Sequence, residues 1–162
     1  MRFGLPDLVE WGEELTGREV LEVETRGKAM LTHFEGGLTV YSHNQLYGRW
    51  VVCRPGKPPE TGRSLRLAIE NEDRWALLYS ASEIEVWPTD ELEGHPFLAR
   101  LGPDALRKGL TGRAITRRLE SERFRGRSLA ALLLDQAFVA GLGNYLRSEI
   151  LHVSGVHPRD RP

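Results

Sequence analysis

Hydrophobic residues in the first half of the chain recur at every second position in short runs separated by turn residues. Alternation with a period of two predicts half-buried strands. Two such runs flank Gly36-Gly37, which predicts a β-hairpin, and a Pro-rich stretch at 54–59 predicts a loop. Short strands at close spacing, with no long helices to join them in parallel, favour an antiparallel β-sandwich or barrel. The predicted strands cover residues 20–24, 29–34, 38–41, 49–53, 65–69, 75–80 and 84–87.

The spacing of apolar residues changes to a helical period after Gly102. Thr111 and Ser128 each stand immediately before an amphipathic run, where they predict helix N-caps. A last helix is predicted from about Asn144 to Val153. The boundary between the two patterns falls near residues 88–104, which predicts an α+β chain with a β domain at 1–100 and a helical domain at 101–162.

A glycine-bearing turn interrupts the helical half between Leu132 and Tyr145. Gly141 and Gly143 allow a close backbone approach there, and the helix that follows has a partial positive charge at its N-terminus. A turn of this kind directs backbone N–H groups outward and is suited to bind a phosphate. The sequence therefore predicts a phosphate-binding element in the helical half.

Composition excludes several classes of protein. Cys53 is the one cysteine among the 162 residues, which excludes an internal disulfide and a cysteine-based zinc cluster within them. No apolar run approaches the roughly 18 residues of a membrane span, and the residues after Met1 lack the apolar core of a signal peptide. We expect no metal, cofactor or membrane partner for this chain, and a reducing cytoplasm as its compartment.

Charge is distributed unevenly along the chain. Residues 1–99 carry 10 Lys and Arg against 17 Asp and Glu, whereas residues 100–162 carry 12 against 6. Eleven of those twelve cations are arginines, whose planar guanidinium groups bind phosphate in a bidentate manner. The asymmetry fits a nucleic-acid partner, and it fits a solvated arginine-rich helix face equally well.

Three separated motifs, in the same order, resemble the formamidopyrimidine-DNA glycosylase family and, within it, the endonuclease VIII branch. They lie at 23–29, 41–48 and 133–147, and the resemblance extends over nearly the whole chain. It implies an N-terminal β-sandwich, a helical domain with a helix–two-turn–helix motif, and duplex DNA held between them with the damaged nucleotide flipped out. It also implies excision of oxidised bases, with oxidised pyrimidines favoured, and cleavage at the abasic site.

The same resemblance assigns roles to individual residues. Lys28 matches the family's hairpin lysine, which transfers a proton in strand cleavage and contacts phosphate; a plain surface lysine is the alternative. Asn144 matches a phosphate-binding asparagine, although an asparagine at a helix start can serve as an N-cap. Gln45 matches a DNA-contacting glutamine, or is a polar loop residue. The further DNA-binding candidates are Gly141, Gly143, Arg100 and Arg125, with Arg123 and Arg127 in support.

The chain departs from the family pattern at its start. The family's nucleophile is an N-terminal proline followed by a glutamate on a leading helix, whereas this chain begins Met1-Arg2-Phe3-Gly4 and its Pro6 has no free amine. We expect it to lack a counterpart of that leading helix and of the family's C-terminal zinc finger. Base excision should then be severely impaired, with no borohydride-trapped complex on an oxidised-pyrimidine duplex. Lys28-dependent cleavage at preformed abasic sites remains open.

The sequence is therefore compatible with three functions. The chain is a DNA glycosylase and abasic-site lyase, a catalytically impaired DNA-binding remnant of one, or an unrelated β-domain with an interaction helix. The first two imply a bacterial, DNA-associated monomer whose partner is double-stranded DNA that contains damaged bases or abasic sites.

Overall fold

The computed structural model describes all residues from Met1 to Pro162. The chain divides into two compact units. The first contains Met1–Thr25 and Ala29–Leu92, and the second contains Arg26–Lys28 and Glu93–Pro162. Three residues from the early part of the chain thus group with the C-terminal unit, and the chain passes from the first unit to the second again between Leu92 and Glu93.

The N-terminal half contains eight strands and one short α-helix. Three short 3-10 helices cover Pro6–Leu8, Thr89–Gly94 and Leu98–Arg100. The α-helices are α1 (Val9–Leu15), α2 (Gly112–Glu120), α3 (Leu129–Leu132) and α4 (Asn144–Val153). The strands are β1 (Arg2–Phe3), β2 (Val20–Arg26), β3 (Ala29–Phe34), β4 (Leu38–His43), β5 (Arg49–Cys53), β6 (Leu65–Glu70), β7 (Trp75–Tyr79) and β8 (Glu83–Pro88).

The strands form two four-stranded antiparallel sheets, with the orders β1-β6-β7-β5 and β2-β3-β4-β8. The predicted hairpin around Gly36-Gly37 is present, with Leu31 opposite Tyr41 and Phe34 opposite Leu38. The predicted α+β class, a β-sandwich followed by a helical part, is confirmed.

The largest apolar cluster of the first unit joins residues from both sheets and from α1. Leu67 and Leu78 are fully buried in it, and Leu15 and Val40 are each 1% exposed. Truncating such a side chain to alanine costs about 2–5 kcal/mol. The pattern did not anticipate two features: β4 is buried on both faces, and the alternating residues Leu21 and Val23 of β2 are largely exposed.

The sequence pattern assigned no element to residues 1–16, yet α1 and β1 lie there. Leu15 at the end of α1 and Phe3 of β1 belong to the same apolar cluster, so tertiary packing stabilises both elements. The Met1 amino group donates a hydrogen bond to Thr16 Oγ1 at 2.9 Å, and this hydroxyl donates to the Gly12 carbonyl. A seven-residue helix is too short to be stable alone, which is why its pattern carried little signal.

The second unit has its own small core. Both predicted caps are present: Thr111 Oγ1 accepts from the Ala114 N–H of α2, and the Ser128 hydroxyl accepts from the Ala131 N–H of α3. The Arg118 guanidinium donates to the carbonyls of Phe138 and Ala137 and lies over the Phe124 ring. Arg118 is therefore a structural arginine. The buried residues are Phe124, Leu132, Phe138, Val139 and Leu142.

All helices of the protein are short. The longest, α4, has ten residues, and α2 has nine. None combines the length and the hydrophobicity needed to cross a bilayer.

Candidate nucleic-acid interface

Gln136 makes three hydrogen bonds that close the turn between α3 and α4. Its side-chain carbonyl accepts from the Gly141 N–H at 2.9 Å, and its amide group donates to the carbonyls of Leu134 and Leu142 at 3.1 and 3.0 Å. Gly141 has φ +92°, a conformation that other residues adopt only with strain. One amide side chain therefore closes the turn that precedes α4, and the turn requires glycine at 141.

Asn144 is the first residue of α4, and Gly143 is its N-cap. Gly143 is extended, with φ −119° and ψ −179°, and no side chain caps the helix. The predicted N-cap role of Asn144 is therefore wrong, because Asn144 is the first residue of the helix and Gly143 is its N-cap. The Asn144 side chain is exposed at the positive end of the α4 dipole, where a phosphate would be stabilised.

The tight turn between β2 and β3 consists of Gly27 and Lys28. The Gly27 N–H donates to Asp104 Oδ2 at 2.9 Å, and a β-carbon on Gly27 would lie 3.3 to 3.4 Å from Leu101 and Ala140. Lys28 is exposed, and its Nζ lies 3.6 Å from the point that a β-carbon on Gly143 would occupy. The structure therefore brings Lys28 next to Gly143 and Gly27 next to Gly141, although the sequence separates each pair by more than 100 residues.

Gln45 lies in the first unit, in the loop between β4 and β5, with φ +50°. Its side-chain amide donates to Glu83, its side-chain carbonyl accepts from the Ser82 hydroxyl at 2.7 Å, and its N–H donates to His43 Nδ1. These bonds orient the Gln45 side chain within its own unit. The Gln45 amide keeps a second N–H beyond these bonds, which a DNA contact would use.

Leu46 and Tyr47, which follow Gln45, are the site candidates that sequence reasoning missed. Their side chains are 80% and 68% exposed, although both are large and apolar. The loop is held in place at its end, since Arg63 donates to the Tyr47 carbonyl at 2.6 Å and the Gly48 N–H donates to the Asn44 carbonyl. The available signal was an apolar pair inside an otherwise polar loop.

The arginines predicted to support phosphate binding differ in their surroundings. Arg100 is exposed, and its Nε donates to the Pro96 carbonyl at 2.7 Å; Arg125 is exposed in the turn after α2. Arg123 lies over the Phe124 ring, and Arg127 forms an ion pair with Asp135. Arg100, Arg123 and Arg127 therefore have side-chain contacts within the protein itself, and Arg125 is exposed.

The Asp135 carboxylate is held in its charged form. Burial raises the pKa of this group, but hydrogen bonds from Arg127 and from the Ala137 N–H, together with the positive charges of Arg127 and Arg123, outweigh burial. The pKa of Asp135 therefore lies below its ordinary value. The Asp135 carboxylate accepts hydrogen bonds at the start of the turn, which is a structural role and not that of a general acid.

Two histidines near the hairpins take part in hydrogen bonds within the first unit. His33 Nδ1 lies 2.8 Å from Thr39 Oγ1, and its Nε2 lies 3.4 Å from a Glu24 carboxylate oxygen. His43 Nδ1 accepts from the Gln45 N–H. These contacts give both rings a structural role within the first unit.

The residues do not fit the structural zinc that the family resemblance implies. The structure contains no group of three or more His, Cys, Asp or Glu side chains that could hold a metal, and Cys53 is the sole cysteine. A four-ligand zinc site requires more cysteines or histidines in one place.

Two domains of one protein family match this chain in order. The N-terminal domain of formamidopyrimidine-DNA glycosylase matches residues 2–82, and the H2TH domain of the same family matches residues 101–161. Endonuclease 8 of Escherichia coli is 54% identical over 154 residues, which cover 95% of this chain and 59% of that relative. The chain thus spans about three-fifths of the length of the curated relative.

Solved structures share the fold. A complex of wild-type Lactococcus lactis Fpg with DNA that contains an oxidized pyrimidine matches with a TM-score of 0.81 and 21% identity, covering 99% of this chain and 61% of that one. A complex of Lactococcus lactis Fpg with DNA that contains an abasic site gives 0.80 and 20%, covering 99% and 60%. With both family domains matched in order, the chain belongs to the formamidopyrimidine-DNA glycosylase family.

Proposed function

We propose that this chain acts in base-excision repair as a DNA glycosylase and abasic-site lyase on double-stranded DNA, with oxidised pyrimidines as its base lesions. The observation that carries the proposal is the position of Lys28 Nζ beside Gly143 at the start of α4. An ammonium group and a helix N-terminus at one place form a phosphate site. The proposal sets the protein, as a monomer, in the bacterial cytoplasm with its DNA.

The turn would bind the DNA backbone in the following way. Asn144 and the first N–H groups of α4 donate to phosphate oxygens, while Lys28 neutralises the phosphate charge. Arg100 and Arg125 add salt-dependent affinity, because each neutralised phosphate releases counterions. Gln45 contacts the DNA from the loop that also presents Leu46 and Tyr47. Apolar side chains exposed on a loop can insert between bases where a nucleotide is missing or flipped.

Lys28 would also supply the chemistry at an abasic site. The open-chain sugar has an aldehyde, and a deprotonated lysine amine can attack this carbon and lose water to form an imine. Loss of a proton from the adjacent sugar carbon then expels the 3′ phosphate and breaks the strand.

A second candidate function is DNA binding without strand cleavage. Lys28 is exposed to solvent. An ammonium group can bind phosphate directly, whereas attack on carbon requires the amine that has lost a proton. The protein would then recognise damaged or abasic DNA without cutting it.

Borohydride trapping separates these functions. The 162-residue chain is mixed with a duplex that contains one abasic site, reduced with borohydride, and examined for a covalent complex and for strand cleavage. The lyase proposal predicts both, and predicts that Lys28→Ala abolishes both while Lys57→Ala, an exposed loop lysine, retains them. Salt-dependent binding without trapping would support the second candidate, and absence of binding would contradict both.

A further inference from the structure

The carboxylate of Asp104 connects the Lys28 turn to the segment before α2. Asp104 Oδ2 accepts from the Gly27 N–H at 2.9 Å, and Asp104 Oδ1 accepts from the Leu106 N–H at 2.8 Å. Each carboxylate oxygen thus has one backbone donor, which fixes the orientation of the group. Asp104 and Gly27 are 77 residues apart in the chain.

The backbone of Asp104 is tied in turn to the glycine-bearing turn. Asp104 and Ala140 form an isolated parallel bridge, in which the Ala140 N–H donates to the Pro103 carbonyl and the Ala105 N–H donates to the Ala140 carbonyl, each at 3.0 Å. Gly141 follows directly, and a β-carbon on it would lie 3.7 Å from Asp104 Oδ1. The aspartate therefore joins two backbone segments on either side of the proposed phosphate site.

We propose that Asp104 is a positioning residue that acts through Lys28. It holds the Gly27-Lys28 turn so that Lys28 Nζ and the start of α4 address the same phosphate. Asp104 is assigned no phosphate contact of its own, because its carboxylate repels a phosphate and each of its oxygens accepts a backbone N–H. This inference rests on the proposed function, since it assigns a reason for the placement of Lys28 that DNA binding requires.

The negative charge of Asp104 makes the inference testable, because repulsion and positioning predict opposite effects of removing it. Removing an acidic residue near DNA raises affinity if charge repulsion alone acts. If Asp104 positions Lys28, Asp104→Ala lowers affinity instead, because the phosphate contact of Lys28 is lost. The expected loss is about twofold to fivefold, the upper part of the range for one exposed charge contact.

The experiment is a double-mutant cycle on binding of the 162-residue chain to a duplex that contains one tetrahydrofuran abasic-site analogue. Asp104→Ala, Lys28→Ala and the double variant are titrated at several salt concentrations, with Asp73→Ala as the charge-matched control in the exposed loop between β6 and β7. We expect Asp104→Ala and Lys28→Ala each to lower the salt slope by about 0.9, one phosphate contact. We expect the double variant to lose no more than Lys28→Ala alone.

A second variant and a second measurement guard against misfolding. Asp104→Asn preserves the volume and one carbonyl acceptor, so it should fold and show an intermediate loss of affinity. The Gly27 amide proton should exchange slowly in the unmodified protein and faster in both Asp104 variants, a readout that needs no DNA.

The outcomes are distinguishable. If the unmodified chain binds DNA while Asp104→Ala behaves as Asp73→Ala, or if the losses of Asp104→Ala and Lys28→Ala add, the positioning role is overturned and the proposed function stands. If the unmodified chain does not bind DNA, the proposed function and the positioning role are overturned together.

Discussion

The Nζ atom of Lys28 lies 3.6 Å from the point that a β-carbon on Gly143 would occupy. The β2–β3 turn and the start of α4 therefore share one surface within the second unit. A substitution at Gly143 acts on this surface without straining the backbone, since Gly143 is extended, whereas a substitution at Gly141 meets φ +92°.

The two glycines should respond differently to the same change. Gly141→Ala should lower the free energy of unfolding by about 1–2 kcal/mol, the cost of a left-handed residue with a β-carbon. Gly143→Ala should cost less, about 0.5 kcal/mol, because its β-carbon makes ordinary van der Waals contact and alanine is only a poorer N-cap than glycine. Urea unfolding of both variants is the measurement. Equal losses would show that the turn conformation differs from the one described.

A larger side chain at Gly143 should disturb DNA binding rather than folding. Gly143→Leu occupies the space next to Lys28 Nζ and should displace the ammonium group from the start of α4. We expect the salt slope of DNA binding to fall by about 0.9, as it should for Lys28→Ala. Gly62→Leu, at an open loop position, is the control. Unchanged binding by Gly143→Leu would argue against a shared phosphate site.

Leu46 and Tyr47 should affect affinity for damaged DNA but not stability. Replacing either with serine changes an exposed side chain, so the free energy of unfolding should stay within about 0.5 kcal/mol. Binding to an abasic-site duplex should weaken by about 1–3 kcal/mol, the range for one stacked side chain, and binding to intact duplex should change less. Fluorescence anisotropy with both duplexes measures this difference.

The matched control for this loop is Val52→Ser, since Val52 of β5 is 67% exposed and lies outside the loop. It should leave both affinities unchanged. Equal losses on intact and abasic duplexes for the Leu46 and Tyr47 variants would contradict insertion into a vacated base position.

Asp135 should give the protein a specific pH dependence. Its pKa is depressed in the folded state, so the stabilisation is complete above the unfolded value of about 3.9 and is lost as the pH falls through the lower folded value. Asp135→Asn should therefore cost on the order of 1 kcal/mol at pH 7 and less at pH 3. Urea unfolding at both pH values checks this. A cost that does not shrink at low pH would exclude the ion pair with Arg127 as its origin.

Local sequence rules predicted the elements whose cause is local. The hairpin at Gly36-Gly37 and the caps at Thr111 and Ser128 depend on residues a few positions apart, and the structure confirms all three. The helix α1 was missed because packing of Leu15 stabilises it, not its own seven residues. The exposure of Leu21 and Val23 was missed because alternation does not reveal which strand lies at a sheet edge.

The candidate site was predicted residue by residue, but its assembly was not. Lys28, Gly141 and Gly143 were chosen from motifs, yet no pattern shows that Gly27 donates to Asp104 or that Lys28 approaches Gly143. Contacts between distant positions depend on the tertiary fold. The shift of the N-cap from Asn144 to Gly143 is a boundary effect of one residue, which sequence rules do not resolve.

The central claim is that Lys28 and the start of α4 form one phosphate site for DNA. The most direct measurement is the affinity of the unmodified 162-residue chain for a duplex with one abasic-site analogue, between about 50 and 200 mM salt, beside the Lys28→Ala variant. The account predicts that the logarithm of the binding constant falls linearly with the logarithm of salt concentration, and that Lys28→Ala reduces this slope by about 0.9. Binding that is absent, or that does not respond to salt or to Lys28→Ala, would contradict it.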